Sequence, residues 1–176
     1  GIGDDQPVPT KLSDTESVRW KAPVPGRGHS SPTVVGNQVF LTTADEGLKI
    51  HTVLSFDRTS GKQLWQTEVN RGGFPAKNHS KNTEASPTIA SDGDRIFATF
   101  YNHDSVQVVA LDFKGKVQWK QTAGAFRPKS YQYGYAPSPL IYHKSVIISA
   151  EYDGESFLTG LDRVKGTRVW KVSRPH

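Results

Sequence analysis

Four tryptophans, Trp20, Trp65, Trp119 and Trp170, divide this chain at intervals of 45, 54 and 51 residues. Three Ser-Pro pairs fall between them, at Ser31-Pro32, Ser86-Pro87 and Ser138-Pro139. From each of these serines to the next tryptophan the distance is 34, 33 and 32 residues. A nearly constant internal span joined by connections of variable length is the mark of a structural repeat, and a repeat fixes the fold before any single residue does.

Each unit reads as four short strands. In the first, Thr33–Val35 leads through Gly36-Asn37 into Gln38–Thr43, followed by His51–Phe56, a polar turn through Asp57 and Gly61, and Gln63–Thr67. β-branched and aromatic residues bounded by Gly, Asn and Asp carry that assignment. The second unit repeats the order over Thr88–Ala90, Arg95–Phe100, Ser105–Leu111 and Val117–Lys120. The third does so over Leu140–Tyr142, Ser145–Ala150, Glu155–Leu161 and Thr167–Lys171. Apolar residues nowhere recur at helical spacing, so no helix is expected. A period near 50 with four strands per repeat predicts an all-β chain of propeller blades, spanning residues 28–68, 84–121 and 136–172. An immunoglobulin-like sandwich would give irregular strand spacing, and no Trp-Asp dipeptide of the WD type occurs.

Composition narrows the function classes. At 176 residues the chain can bury a substantial core, and no apolar run approaches a membrane-spanning length. It starts on Gly1 without a signal-like segment and contains no Met, which suggests a chain processed or excised from something longer. With no Cys there is neither a disulfide framework nor a thiolate metal site. The net charge of +5 is dispersed as single residues, mostly beyond residue 70, which reads as a solvated surface rather than a nucleic-acid patch.

The segment from Ser55 to Trp65, SFDRTSGKQLW, is specific. It resembles the tryptophan-docking motif of the pyrroloquinoline-quinone (PQQ) repeat propellers, Ala-x-Asp-x-x-Thr-Gly-x-x-x-Trp. Further copies are Ala110, Asp112, Gly115 and Trp119, with one residue fewer in the turn, and Gly160, Asp162, Gly166 and Trp170. The small residues Ser55, Ala110 and Gly160 leave room for a neighbour, and the aspartates suit Asx-turns. Gly61, Gly115 and Gly166 permit positive φ and offer a bare peptide face. Each Trp supplies a large apolar surface and one N–H donor. The resemblance implies that the Trp of one blade stacks on the Gly peptide of an adjacent blade. By the same analogy Ser17–Lys21 is expected to be an extra outer strand, completing a blade not present here. Three blades cannot close a ring, so a partial ring of a parent with about eight blades is implied.

Polar segments precede each first strand and, in propellers, lie near the central channel. They supply the candidate binding residues Arg27, His29, His79, Lys81, Asn82, Glu84, Tyr131 and Tyr133. His29 and His79 stand three and eight residues before their prolines, out of register for a shared metal, so no metal site is expected. His51, His103 and His143 read as incidental. No Gly-x-Ser-x-Gly elbow or phosphate-binding Gly loop appears, so no catalytic residue is assigned.

The resemblance implies a non-catalytic extracytoplasmic scaffold, similar to the BamB-like proteins, in the periplasm or secreted. Its partners would be proteins, further blades of the same polypeptide, or other copies meeting at open blade faces, and no cofactor is required. Two alternatives accompany it. One is a fragment of a PQQ-dependent dehydrogenase, with calcium ligands such as Glu84 and Asn82, although the adjacent cysteines of many such enzymes are absent. The other is a sensor propeller attached to a bacterial serine/threonine kinase.

Overall fold

The computed structural model describes residues 10, 11, 13, 15–130 and 132–174. Twelve strands form three four-stranded antiparallel meanders, and the described residues contain no helix. The first blade comprises β1 (Thr33–Val35), β2 (Gln38–Asp45), β3 (Ile50–Asp57) and β4 (Gln63–Arg71). The second comprises β5 (Ala90–Ser91), β6 (Arg95–Asn102), β7 (Ser105–Asp112) and β8 (Val117–Ala125). The third comprises β9 (Leu140–Tyr142), β10 (Ser145–Ala150), β11 (Phe157–Asp162) and β12 (Arg168–Ser173). This is a partial β-propeller. β4 and β8 run on to Arg71 and Ala125 because the strands they pair with, β3 and β7, are eight residues long.

Strand alternation explains why the blades stack. In β6, Ile96, Ala98 and Phe100 pack toward the first blade, while the intervening Phe97 packs toward the third. In β7, Val109 and Leu111 face the first blade, and Val106, Val108 and Ala110 face the third. Side chains two apart share a sheet face, so one strand serves two cores. The middle blade is therefore apolar on both faces, which explains its near-continuous hydrophobic runs.

Residues 17–21 join no ladder among the described residues, and the blade that the sequence expectation has them complete lies outside this chain. Trp20 instead packs with Ala22 and Leu41 over Val39, Leu54 and Phe56 on the outer face of the first blade.

Antiparallel order places two kinds of turn at opposite ends of each blade. The β1–β2 and β3–β4 turns share one end, and the β2–β3 turn and the crossing to the next blade share the other. The first we call the clasp end and the second the loop end.

Candidate functional site

At the clasp end the aspartates organise their turns. Asp57 Oδ1 accepts the amides of Thr59 at 3.0 Å and Ser60 at 2.7 Å. Asp112 Oδ1 accepts those of Lys114 at 2.9 Å and Lys116 at 3.0 Å. Asp162 Oδ1 accepts those of Val164 at 2.9 Å and Lys165 at 2.8 Å. These donors, Ser60 foremost for Asp57 and Lys165 for Asp162, hold both carboxyls below their ordinary range. Each turn presents a carbonyl and a glycine to the preceding tryptophan. Trp20 Nε1 donates to Arg58 O at 2.9 Å, Trp65 Nε1 to Phe113 O at 2.8 Å, and Trp119 Nε1 to Arg163 O at 3.1 Å.

The rings lie flat on the glycines. A methyl group added at Gly61, Gly115 or Gly166 would come within 2.5, 2.7 or 2.6 Å of the Trp20, Trp65 or Trp119 ring. Ser55, Ala110 and Gly160 stand directly opposite Trp65, Trp119 and Trp170 in the neighbouring strand. At Gly160 the fit is tight, since a methyl group there would meet the Trp170 ring at 2.4 Å. Trp170 docks on no turn among the described residues. The Ser-Pro segments stitch the inner strands: Ser31 N donates to Thr88 Oγ1 at 3.0 Å, and Thr88 N donates to Ser138 Oγ at 2.9 Å.

At the loop end, four of the eight sequence-derived candidates converge. Arg27, His79, Asn82 and Glu84 line a cleft of about 280 Å³ together with Glu46, Lys49 and Phe74. Arg27 is held on both sides, by Glu46 Oε1 at 3.3 Å and by the Ser80 carbonyl at 3.2 Å. Glu84 accepts Asn78 Nδ2 at 2.9 Å, yet burial raises its pKa above the ordinary value. The cleft thus sets three cationic or titratable nitrogen groups against two carboxylates in a partly desolvated place, and suits polar contacts of either sign.

The other candidates lie elsewhere. His29 is exposed and uses its amide on Ala85 O at 3.1 Å, because its segment is pinned to the start of the second blade. Lys81 is exposed and outside the cleft lining. Tyr133 is 56% exposed, with its ring 5.2 Å from that of His79 and its carbonyl accepting Asn82 Nδ2 at 2.6 Å. Tyr131 falls outside the described residues. As calcium ligands Asn82 and Glu84 are a poor fit. Asn82 Oδ1 already accepts Ser86 Oγ and Thr83 N, and no three His, Asp or Glu side chains converge among the described residues.

Gly134 locks two loops together. Its φ is +83°, and an added methyl group would meet Asn78 Oδ1 at 2.1 Å and Asn82 Nδ2 at 2.3 Å. Gly134→Ala is expected to cost about 1–3 kcal/mol and to speed proteolysis within residues 74–84, measured by limited digestion and mass spectrometry. Unchanged digestion would refute the lock.

Two features were not legible. His51, read as incidental, is completely buried and stacked between Phe74 at 4.4 Å and Phe100 at 4.5 Å. His103 packs on Gly73, and His143 sits in the β9–β10 turn against Tyr142. The second feature is a larger cleft of about 340 Å³ beside the first, lined by Pro75, Lys77, Tyr101, Phe126, Lys129 and other residues. The run Phe126-Arg127-Pro128-Lys129 was its sequence signal, an aromatic within a basic, proline-broken connection.

No curated protein matches the sequence. Among solved structures the chain is similar to the quinohemoprotein alcohol dehydrogenase of Comamonas testosteroni, at 16% identity and TM-score 0.57, over 84% of this chain and 21% of that one. It is also similar to BamB of Moraxella catarrhalis, at 14% identity and TM-score 0.44, over 88% and 54%. The β-propeller domain of the Trilobed protease of Pyrococcus furiosus matches at 14% identity and TM-score 0.48, over 84% and 42%. The chain therefore spans between about a fifth and about half of these structures. A family model described as outer membrane protein assembly factor BamB matches residues 3–70 and 49–176, and the chain belongs to that family.

Proposed function

We propose that this chain forms part of a non-catalytic, extracytoplasmic propeller scaffold, periplasmic or secreted, that holds protein partners on its loop end. The observation that carries the reading is the division of labour between the two ends. At the clasp end Asp is consumed within its own turn, and Gly61, Gly115 and Gly166 by docked tryptophans, whereas Arg27, Lys49, His79 and Glu84 at the loop end meet around an open cleft. The family's description, an assembly factor, supports a role in bringing proteins together. Loops on a rigid scaffold are also where binding residues concentrate.

The test is site-specific photo-crosslinking in the source cell. A crosslinker at Lys49 or Ser80 is expected to capture the same protein species, and one at Lys62 on the clasp end is expected to capture none of it. Capture from Lys62 alone would overturn the reading. Titration with PQQ and calcium is expected to leave the visible spectrum and alcohol oxidation at background. A bound-quinone band with turnover would replace the scaffold with an enzyme.

A further inference from the structure

The larger loop-end cleft has a floor and a rim of different chemistry. Its floor is formed by Tyr101 and Phe126, 6.3 Å apart, and Phe126 is backed by Tyr135 at 5.3 Å and Tyr152 at 5.0 Å, all edge to face. Phe126 is 5% exposed and Tyr135 is 4% exposed, so the floor is fixed by the core between the second and third blades. Such a surface loses little freedom when a ligand covers it.

The rim is basic. Lys77, Arg127 and Lys129 surround the opening, and among the described residues Asp104 is the one carboxylate in the lining. That carboxylate is already engaged, accepting Tyr101 Oη at 2.5 Å and standing 3.9 Å from Arg127 Nε. The loop that carries Lys129 is fixed as well, because Asp153 accepts the amides of Lys129 at 2.9 Å and Ser130 at 2.5 Å. Among the described residues the ammonium groups of Lys77 and Lys129 make no ion pair.

We propose that this cleft seats one aromatic or large aliphatic side chain of a partner protein segment, with acidic residues on either side of that anchor. The proposal rests on the loop end being the partner-binding end and names the chemistry of what binds there. An extended segment, rather than a compact small molecule, suits the shape. Pro75 lines both clefts, so the apolar pocket continues into the polar one around Arg27 and Lys49. A side chain anchored on the aromatic floor would leave its neighbours at the rim, where carboxylates meet Lys77 and Lys129. The cations add steering and specificity, and the buried anchor supplies most of the affinity.

The experiment is a calorimetric titration of the 176-residue chain with a capped pentapeptide, a phenylalanine flanked on each side by two acidic residues. Saturable binding is expected, weakening as salt is raised. Replacing the central phenylalanine by alanine should weaken it about 10-fold or more. The double variant Lys77→Glu/Lys129→Glu should weaken it about 10-fold or more. Ala76→Trp, a change at an exposed loop residue that fills the opening, should abolish binding while leaving the circular dichroism spectrum unchanged.

Absence of saturable binding overturns the proposal. So does equal binding by the peptide with its acids replaced by amides, or by the charge-reversed variant. If crosslinks from Lys49 and Ser80 still capture a partner in those cases, the scaffold reading stands and only the recognition chemistry fails.

Discussion

Trp65→Ala is expected to lower the unfolding free energy by about 3 kcal/mol, read from denaturant titration of the purified chain. Three losses combine. The ring leaves a hole beside Phe40 and Phe113, whose centroids lie 5.9 and 5.4 Å apart from Trp65 and Phe40 respectively. The Phe113 carbonyl loses its indole donor, and Gly115 loses the surface it lies against. Trp119→Ala should behave alike, because its ring packs on Gly166 and donates to Arg163 O. Trp65→Phe keeps much of the area but not the donor, and should cost about 1–2 kcal/mol.

Trp170→Ala supplies the internal control. Its ring packs against its own blade at Gly160, and among the described residues it docks on no turn. Its cost should stay below about 1 kcal/mol. Equal costs at Trp65 and Trp170 would mean that the ring's own strand, rather than the adjoining blade, provides the stabilisation, and the clasp would lose its energetic role.

The second large effect is pH-dependent. His51 is buried between two phenylalanines, and that burial lowers its pKa from 6.5 to about 3. The Glu84 main chain opposes the shift and Lys120 adds to it. Nδ1 meets Asn70 Nδ2 at 3.2 Å, while among the described residues His51 Nε2 and Asn70 Oδ1 are buried without a hydrogen-bond partner. An unfolded chain takes up the proton near pH 6.5, and the folded chain resists it down to about pH 3. The folded state therefore binds fewer protons in that window. Its stability is complete above pH 6.5 and falls as the pH drops toward 3.

For this one group the slope approaches about 1.4 kcal/mol per pH unit. Carboxylates titrate in the same window, so the measurement is the difference between the wild type and His51→Leu. The variant should lose this component of the slope between about pH 6 and pH 4. Identical slopes would show that His51 takes its proton without opening the core between the first two blades.

The repeat was legible because a blade is a local object. Its strands are neighbours in sequence, its turns need Asp and Gly at set offsets, and its Trp follows four residues after the glycine in each unit. Residues 17–21 are the complementary case. Their composition suits a strand, but a ladder requires a partner, and the sequence does not carry one for them. Within the candidate site, Arg27, His79, Asn82 and Glu84 were found because they are dense polar residues in connections. His29 and Lys81 carry the same chemistry and miss the cleft, because spacing along a loop says little about where its side chains end.

What the sequence by itself determined is therefore the blade: its four strands, its Asp–Gly–Trp turns and the number of copies. Those features depend on contacts a few residues apart, or on a rule repeated in every unit. Only the tertiary structure decided which loops meet. The clefts draw on the connections at Phe74–Ser80 and Phe126–Lys129, with Asn82, Glu84, Gln132 and Gly134, brought together by blade stacking and fixed by Gly134 against Asn78 and Asn82. It also decided that His51 would be sealed between Phe74 and Phe100, one from a connection and the other from the next blade. Such encounters depend on how one sheet packs on another. Residues 50 positions apart leave no periodic trace in the sequence when they meet only once.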